Sequence, residues 1–395
     1  MIKKEWGFDS LAVHGAESMD PHTGSVAPPL YQTSTFFFHN SDHGEALFKG
    51  EADGFIYSRI ANPTQQCLER QMACLEGGEA GLAFSSGLSA IAALIMTLCQ
   101  TGDNFVSSVT IYGGTHGQFQ GFMPRVGIDA REVRATHLDE IEAAIDDKTR
   151  LLFIETPANP NLDVIDIRGC AEIARKHNIP LAVDNTFATS ALQRPLEHGA
   201  HIIVHSATKY ISGHGDTVAG VLVGKEELMT QIRKDTLTPV GFCISPFNAW
   251  LLMRGLKTLA VRMKRHSENA MQVSQYLSFH PKIEKVYYPG LSIHPGYELA
   301  RSQMYGFGGM LAFEIKGDRE DAKRFIDTLE LFTNAVSLGD CDSLVCHPAS
   351  TTHSTYTPEQ LKEADISESM VRLSVGIEDP QDIINDLGQG LKRVS

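Results

Sequence analysis

The sequence lacks the features that mark membrane-spanning, secreted and nucleic-acid-binding proteins. No apolar run is long enough to cross a bilayer, and the first residues lead into no apolar signal-peptide core, so we expect a cytoplasmic protein with no membrane partner. Lys and Arg number 34 against 48 Asp and Glu, a net charge of −14. With no basic surface to neutralise phosphates, we predict no nucleic-acid partner.

Cysteine is also sparse, and its pattern fits neither disulfides nor a metal. The chain has seven scattered cysteines, an odd number that indicates a reducing compartment. Two Cys and two His lie between 341 and 353, but their spacing is not that of a zinc knuckle and a second Cys pair is missing. His201 and His205 share a strand face without an evident third ligand. We predict no metal site.

Length and periodicity predict a two-domain α/β protein with an N-terminal arm. The 395 residues, 42% of them hydrophobic and 21% charged, are typical of a globular chain too long for one core. We expect residues 1–61 to form an irregular arm that packs on a neighbouring subunit, because it cannot bury its own aromatic side chains. Residues 62–252 alternate helices with short apolar strands, which predicts a mostly parallel sheet. Residues 253–395 predict a smaller α+β domain.

Individual elements follow from the same patterns. Strand candidates in the large domain lie at 104–109, 151–154, 181–183, 202–204 and 218–223. One long helix is expected over about 246–280. In the last third, alternation predicts strands at 310–315 and 370–375, and a helix over 380–391 begins with Asp379 as its cap and Pro380 at its first position.

Two apolar runs end in residues that suit one cofactor. The first ends at Asp184, and the second continues into Ser206, Thr208 and Lys209. Strands that end at the same sheet edge would bring the carboxylate and the amine together. Pyridoxal phosphate requires such a pair, because a Lys amine forms a Schiff base with its aldehyde and a carboxylate keeps its pyridine nitrogen protonated. We therefore predict pyridoxal 5′-phosphate as the cofactor.

Five motifs across the chain resemble one enzyme family. They read YQTSTF at 31–36, ETPANP at 155–160, HSATKY at 205–210, SGHGD at 212–216 and RLSVG at 372–376. The chain is similar to the pyridoxal-phosphate enzymes of cysteine and methionine metabolism, which include methionine γ-lyase, cystathionine γ-lyase and the acylhomoserine sulfhydrylases. The resemblance implies an aspartate aminotransferase-like fold of type I, with a mostly parallel seven-stranded sheet, and a homotetramer built from two dimers.

The resemblance also implies roles for the cofactor-binding residues. Lys209 carries the cofactor and Asp184 contacts its ring nitrogen. The ring stacks on Tyr112, which also serves in proton transfer at the γ-carbon, and Asn159 contacts the phenolic oxygen. The phosphate contacts come from one chain and from its neighbour. In this chain they are Gly87, Leu88, Ser206 and Thr208; from the neighbouring subunit they are Tyr57 and Arg59.

Four further positions concern the substrate. Arg372 lies on an alternating strand, where it is either a solvent-facing residue or the fork that binds the substrate carboxylate; the resemblance favours the fork, helped by Ser337. Cystathionine γ-lyases have Glu where this chain has Val336, and a buried valine suits an uncharged thioether. Many bacterial methionine γ-lyases have Cys where this chain has Gly114, which predicts a roomier pocket.

These positions predict γ-elimination on methionine or homocysteine, as in methionine γ-lyase. Two alternatives stay open. The HPASTTHS segment at 347–354 leans toward the O-acetyl- or O-succinylhomoserine sulfhydrylases, and cystathionine γ-lyase shares the same machinery.

Overall fold

A seven-stranded sheet occupies residues 80–224 of the computed structural model, which describes residues 6–15, 20, 23–354 and 356–394. In chain order its strands β1 to β7 are Ala80–Phe84, Asn104–Ser108, Asp129–Val133, Thr149–Glu155, Leu181–Asp184, Ile202–Ser206 and Gly220–Gly224. They lie side by side in the order β1-β7-β6-β5-β4-β2-β3. The strands from β6 to β3 are parallel, while β7 is antiparallel to both neighbours. The mostly parallel seven-stranded sheet is therefore confirmed.

A second, smaller sheet lies in the last third of the chain. Its strands β8 to β12 are Ile283–Tyr287, Met310–Ile315, Thr333–Asn334, Leu344–Cys346 and Met370–Ser374. The order is β10-β11-β12-β9-β8, and all neighbours are antiparallel except β10 and β11. The smaller α+β unit is confirmed, and the borders near 61 and 252 stay predictions.

Helices cover both sheets. In chain order α1 to α15 are Phe8–His14, Ser41–Lys49, Pro63–Glu76, Gly87–Leu98, Gly113–Gly117, Leu138–Ala144, Ile167–Lys176, Thr189–Leu192, Glu226–Ile232, Pro246–Leu256, Leu259–Ser278, Tyr297–Gln303, Arg319–Thr328, Pro358–Glu363 and Pro380–Leu391. The chain also forms π-helical segments at Gln118–Phe122 and Arg233–Gly241, and 3₁₀ segments at Met123–Val126, Pro195–His198 and Pro348–Ser350. No helix within the described ranges is long and apolar enough to cross a membrane.

Helix ends follow the capping chemistry of the sequence. The Asp379 side chain accepts the N–H of Gln381 at the start of α15, and Pro380 takes the first helical position, as predicted. At α4 the side chains and backbones of Ser86 and Ser89 cap each other reciprocally. The second cap matters for the site, because it fixes where α4 begins.

Two predictions about elements are wrong. The arm is not irregular throughout, since it contains α1 and also α2, whose N-terminus is capped by Asn40. The expected long helix is divided into α10 and α11. At the break, the Gly255 carbonyl accepts from the Thr258 hydroxyl and the Arg262 guanidinium, so the regular helical hydrogen bond is replaced.

Candidate active site

The carboxyl ends of three parallel strands meet at one edge of the large sheet. Glu155 ends β4, Asp184 ends β5 and Ser206 ends β6, and Glu155 pairs with Asp184 in the strand register. A cavity of about 220 Å³ opens at this edge. Open α/β sheets bind ligands at the carboxyl ends of their strands, so the location fits a ligand site.

Most of the predicted site residues surround this one cavity. Those that line it are Gly87, Leu88, Tyr112, Asn159, Asp184, Ser206, Thr208, Lys209, Val336 and Arg372. Ser337 lies behind the lining and contacts Lys209. Three others, Gly114, Tyr57 and Arg59, are outside the lining of this chain's cavity.

Lys209 is held as a partly desolvated amine. Its Nζ donates to the Ser337 hydroxyl at 3.2 Å. Burial, together with the smaller effect of the positive charge on Arg372, lowers the pKa of the Lys209 amine to about 8. The Asp340 carboxylate opposes that shift. At pH 7 about a tenth of the amine is therefore uncharged, far more than for an ordinary lysine, and this is the form in which Lys acts as a nucleophile or base.

Asp184 is a buried carboxyl that is hydrogen-bonded to Thr186. One of its oxygens, Oδ1, accepts both the backbone N–H of Thr186, at 3.0 Å, and the Thr186 hydroxyl, at 2.5 Å. Burial raises the pKa of Asp184, against the opposing effects of the Thr186 bonds and of His205. A protonated ring nitrogen would supply the positive partner that a buried carboxylate requires.

The N-terminus of α4 closes the other side of the cavity. A Cβ added to Gly87 would lie 3.0 Å from the Ser206 Cβ, and one added to Gly220 would lie 2.1 Å from the Ser86 carbonyl oxygen. Glycine at these two positions lets the helix start approach the end of β6. The free N–H groups of a helix start favour an anion, so this corner suits a phosphate.

Arg372 and Asn159 form a buried pair with hydrogen-bonding capacity to spare. Arg372 is only 2% exposed and donates from Nη1 to the Asn159 Oδ1 at 2.9 Å and from Nη2 to the Val336 carbonyl at 2.9 Å. The alternative of a solvent-facing arginine is thereby excluded. Two buried N–H donors, Asn159 Nδ2 and Arg372 Nε, have no partner among the described residues. Unsatisfied buried donors beside a cavity are the groups that a phenolate and a carboxylate would satisfy.

Tyr112 and Gly114 are packed against each other. Tyr112 precedes α5, lines the cavity and is 46% exposed. A Cβ at Gly114 would lie 2.4 Å from the Tyr112 ring. The expectation of a roomier pocket at Gly114 is wrong, because the tyrosine ring occupies that space.

Val336 is more exposed than we expected from the sequence. We expected a buried valine, but in this chain Val336 lines the cavity and is 57% exposed. The residue is at the cavity rim. The cost of desolvating a charged substrate end against it is correspondingly smaller.

Tyr57 and Arg59 lie on the arm, away from this chain's cavity. The Arg59 guanidinium is 5.8 Å from the centre of the Tyr57 ring, and its Nη1 donates to the Thr238 carbonyl at 2.6 Å. Their contribution to a neighbour's phosphate site stays a prediction.

The histidines considered as metal ligands make other contacts. His205 Nε2 lies 2.5 Å from the Glu76 Oε1 in the core, and His201 Nδ1 accepts the N–H of Leu181. Both nitrogens of His347 are hydrogen-bonded, one to Ser350 and one to the Glu368 carbonyl.

Thr186 and Glu155 are polar residues of the cavity to which sequence reasoning assigned no role. The Thr186 hydroxyl donates to Asp184 and accepts the N–H of Ser206 at 2.8 Å. It therefore links the Asp184 carboxyl to the end of β6, beside the N-terminus of α4. Glu155 accepts two backbone N–H groups. The signal for Glu155 was available, since it ends a buried strand in the same way as Asp184.

Comparison with known proteins places this geometry in a family. The model of the Cys/Met metabolism PLP-dependent enzymes matches residues 9–392. The chain belongs to this family. The donors and glycines around the cavity fit the cofactor that the family's name specifies, and pyridoxal phosphate is its cofactor.

Individual family members are similar over nearly the whole chain. The chain is 49% identical to the L-methionine gamma-lyase of Pseudomonas putida over 387 residues, 98% of this chain and 97% of that protein. It is 42% identical to the O-succinylhomoserine sulfhydrylase of Pseudomonas aeruginosa, covering 97% and 95%. A Campylobacter jejuni structure named as an O-acetylhomoserine (thiol)-lyase superposes with a TM-score of 0.95 at 37% identity, covering 98% and 100%, and carries N′-pyridoxyl-lysine-5′-monophosphate.

Proposed function

We propose that the protein is a pyridoxal-phosphate-dependent carbon–sulfur lyase that converts methionine or homocysteine and water to 2-oxobutanoate, ammonia and a sulfur product. The sulfur product is methanethiol from methionine and hydrogen sulfide from homocysteine. The observation that carries the proposal is a single cavity lined by Lys209, Asp184 and Arg372. The 49% identity to a methionine γ-lyase supports the substrate class.

The residues of the cavity divide into binding and proton-transfer groups. Bound pyridoxal phosphate supplies an electron sink for charge that develops at the substrate Cα. Arg372 binds the substrate α-carboxylate with its unsatisfied Nε–H, and Asn159, which Arg372 holds through Oδ1, keeps Nδ2 free for the cofactor's phenolic oxygen. Asp184 holds a proton at the ring nitrogen.

Lys209 and Tyr112 carry out the proton transfers. The Lys209 amine, with its pKa lowered to about 8, removes the proton at Cα and then moves one at Cβ. Ser337 orients that amine through its hydroxyl. Tyr112, half exposed at the cavity, protonates the departing γ-sulfur.

A sulfhydrylase is the second candidate. It would replace an acyloxy group at the γ-carbon with sulfide and would use the same cavity. The observation that favours it is the 42% identity to an O-succinylhomoserine sulfhydrylase, together with the structural likeness to a protein named as an O-acetylhomoserine (thiol)-lyase. Cystathionine γ-lyase activity is the third candidate; Val336 offers no charge to a distal ammonium.

We also propose that the protein works as a homotetramer of two dimers in the cytoplasm. The arm exposes large apolar side chains, including Phe37 at 81% and Phe48 at 69%, which a subunit contact would cover. Tyr57 and Arg59 lie near them in sequence and would complete the phosphate site of the partner. The seven cysteines are scattered along the chain and odd in number, which suits a reducing compartment.

A substrate panel tests the proposal. Methionine, homocysteine, cystathionine and O-acetylhomoserine are offered separately, with and without sulfide, and kcat/KM is compared. We expect methionine or homocysteine to give 2-oxobutanoate without sulfide, and cystathionine to react more slowly. Reaction of the acylhomoserine with sulfide alone would establish the sulfhydrylase instead.

A further inference from the structure

One buried carboxylate joins two separate loops of the cavity. Glu155 is almost fully buried at the end of β4. Its Oε2 accepts the backbone N–H of Tyr112 at 2.9 Å, and its Oε1 accepts the backbone N–H of Asn159 at 3.0 Å. Both carboxylate oxygens are therefore used, one on each loop.

The two loops carry side chains with different tasks. Tyr112 precedes α5, and its ring borders the cavity. The Asn159 side chain is fixed from the other side, because Arg372 donates to its Oδ1, and this leaves Nδ2 unpaired in the cavity. A change in the distance between the two loops would move the tyrosine ring relative to the amide nitrogen.

Burying the Glu155 carboxyl group costs free energy of folding, which a purely structural role would not explain. Burial raises the pKa of Glu155 well above its usual range, and the negative charge of Asp184 adds to the shift. The two backbone N–H groups and Arg372 oppose it. A neutral side chain would fill this place without that burial cost. The two N–H groups lie at different oxygens of Glu155, so keeping both bonds requires an acceptor at each of the two positions.

We propose that Glu155 is a positioning residue that sets the spacing between Tyr112 and Asn159, and so fixes the ring-stacking and phenolate-binding groups of the cofactor site relative to each other. The inference rests on the proposed function, in which both residues contact the cofactor. A change at Glu155 should therefore affect cofactor binding and the proton transfer by Tyr112. It should have little effect on binding of the substrate carboxylate.

The test is Glu155→Gln, which keeps the shape but replaces one acceptor oxygen with an amide nitrogen that can only donate. One of the two backbone N–H groups then faces another donor. Apo-protein is titrated with pyridoxal phosphate, and the visible circular dichroism of the bound cofactor is recorded. We expect about tenfold weaker cofactor binding, which is about 1.4 kcal/mol, a reduced dichroic signal, and a kcat for methionine that falls at least about tenfold while KM changes less than about threefold.

A matched control separates positioning from general stability. Asp386 is also a buried carboxylate that accepts backbone N–H groups, from Glu330, Leu331 and Phe332, but it lies outside the cavity. Asp386→Asn should lower Tm and leave cofactor affinity and dichroism unchanged.

The outcomes distinguish the inference from the proposed function. If Glu155→Gln only lowers Tm as Asp386→Asn does, the positioning role is wrong. If the wild-type protein neither binds the cofactor nor releases 2-oxobutanoate, the proposed function fails first. Should Glu155→Gln not fold, Glu155→Asp is used, because its shorter side chain keeps the carboxyl group but cannot reach both N–H groups. Unchanged dichroism and kcat in that variant would also overturn the inference.

Discussion

Replacement of Arg372 by lysine tests how the substrate is bound. The guanidinium donates to Asn159 and to the Val336 carbonyl at the same time, and its Nε remains unpaired beside the cavity. A lysine ammonium is a single point of charge and cannot hold both partners and a carboxylate in a planar fork. Because the positive charge is retained, the lowered pKa of Lys209 should persist.

The expected magnitude follows from the hydrogen bonds lost. A hydrogen bond to a charged group contributes about 1.5–3 kcal/mol, and Arg372→Lys removes at least one from the substrate carboxylate. At about 1.4 kcal/mol for each factor of ten, a loss of about 2–3 kcal/mol lowers kcat/KM for methionine about 30- to 150-fold. Most of the loss should be in KM, measured by steady-state kinetics of 2-oxobutanoate release.

Arg262→Lys is the control for this experiment. Arg262 is equally buried and donates to the Tyr210 and Gly255 carbonyls, but it does not line the cavity. It should lower Tm with a far smaller effect on KM. If Arg372→Lys leaves kcat/KM within about threefold of wild type, where a loss of at least one charged hydrogen bond is expected, Arg372 does not bind the carboxylate.

Three more predictions concern the Lys209 amine, the subunit contact of Arg59 and Val336 at the cavity rim. The rate at which apo-protein takes up pyridoxal phosphate should rise with pH, with a midpoint at about 8, because only the uncharged Lys209 amine attacks the aldehyde. Asp340→Asn should move that midpoint to lower pH, because the Asp340 carboxylate raises the pKa of Lys209. An unshifted midpoint would show that Asp340 does not influence Lys209. Arg59→Ala mixed with Lys209→Ala should regain activity, since hybrid dimers contain one site with both defects and one with neither; hybrids that form but stay inactive would return Arg59 to its own chain's site. Val336→Glu should raise kcat/KM for cystathionine relative to methionine, and an unchanged ratio would show that the rim does not select substrate.

Much of the site could be predicted because short apolar runs ended in reactive side chains. Asp184 closes β5 and Lys209 follows β6, and parallel strands bring such ends to one edge. The helix that starts at Pro380 was equally plain, because its cap and its first residue are both in the sequence. Local chemistry determined these features, so a local pattern could predict them.

What the sequence could not predict depends on distant contacts. β3, Asp129–Val133, was missed because it is a polar edge strand without an apolar run. The break near Thr258 depends on bonds to the Gly255 carbonyl from two later side chains. The place of Glu155 at the end of a buried strand could be predicted, but its bond to the Tyr112 N–H, 43 residues away in sequence, could not.

The surroundings of Gly114 and Val336 also could not be predicted from the sequence pattern. The space beside Gly114 is filled by the Tyr112 ring, although a missing side chain suggested room. The exposure of Val336 depends on where the loop after β10 crosses the cavity mouth, which alternation does not encode.

The most direct test of the account is product stoichiometry from methionine. Purified protein reconstituted with pyridoxal phosphate is given methionine alone, and methanethiol, ammonia and 2-oxobutanoate are measured in the same samples. We expect the three products in equal amounts, and none above background from Lys209→Ala. Absence of 2-oxobutanoate from methionine and from homocysteine, or its release at the wild-type rate by Lys209→Ala, would contradict it.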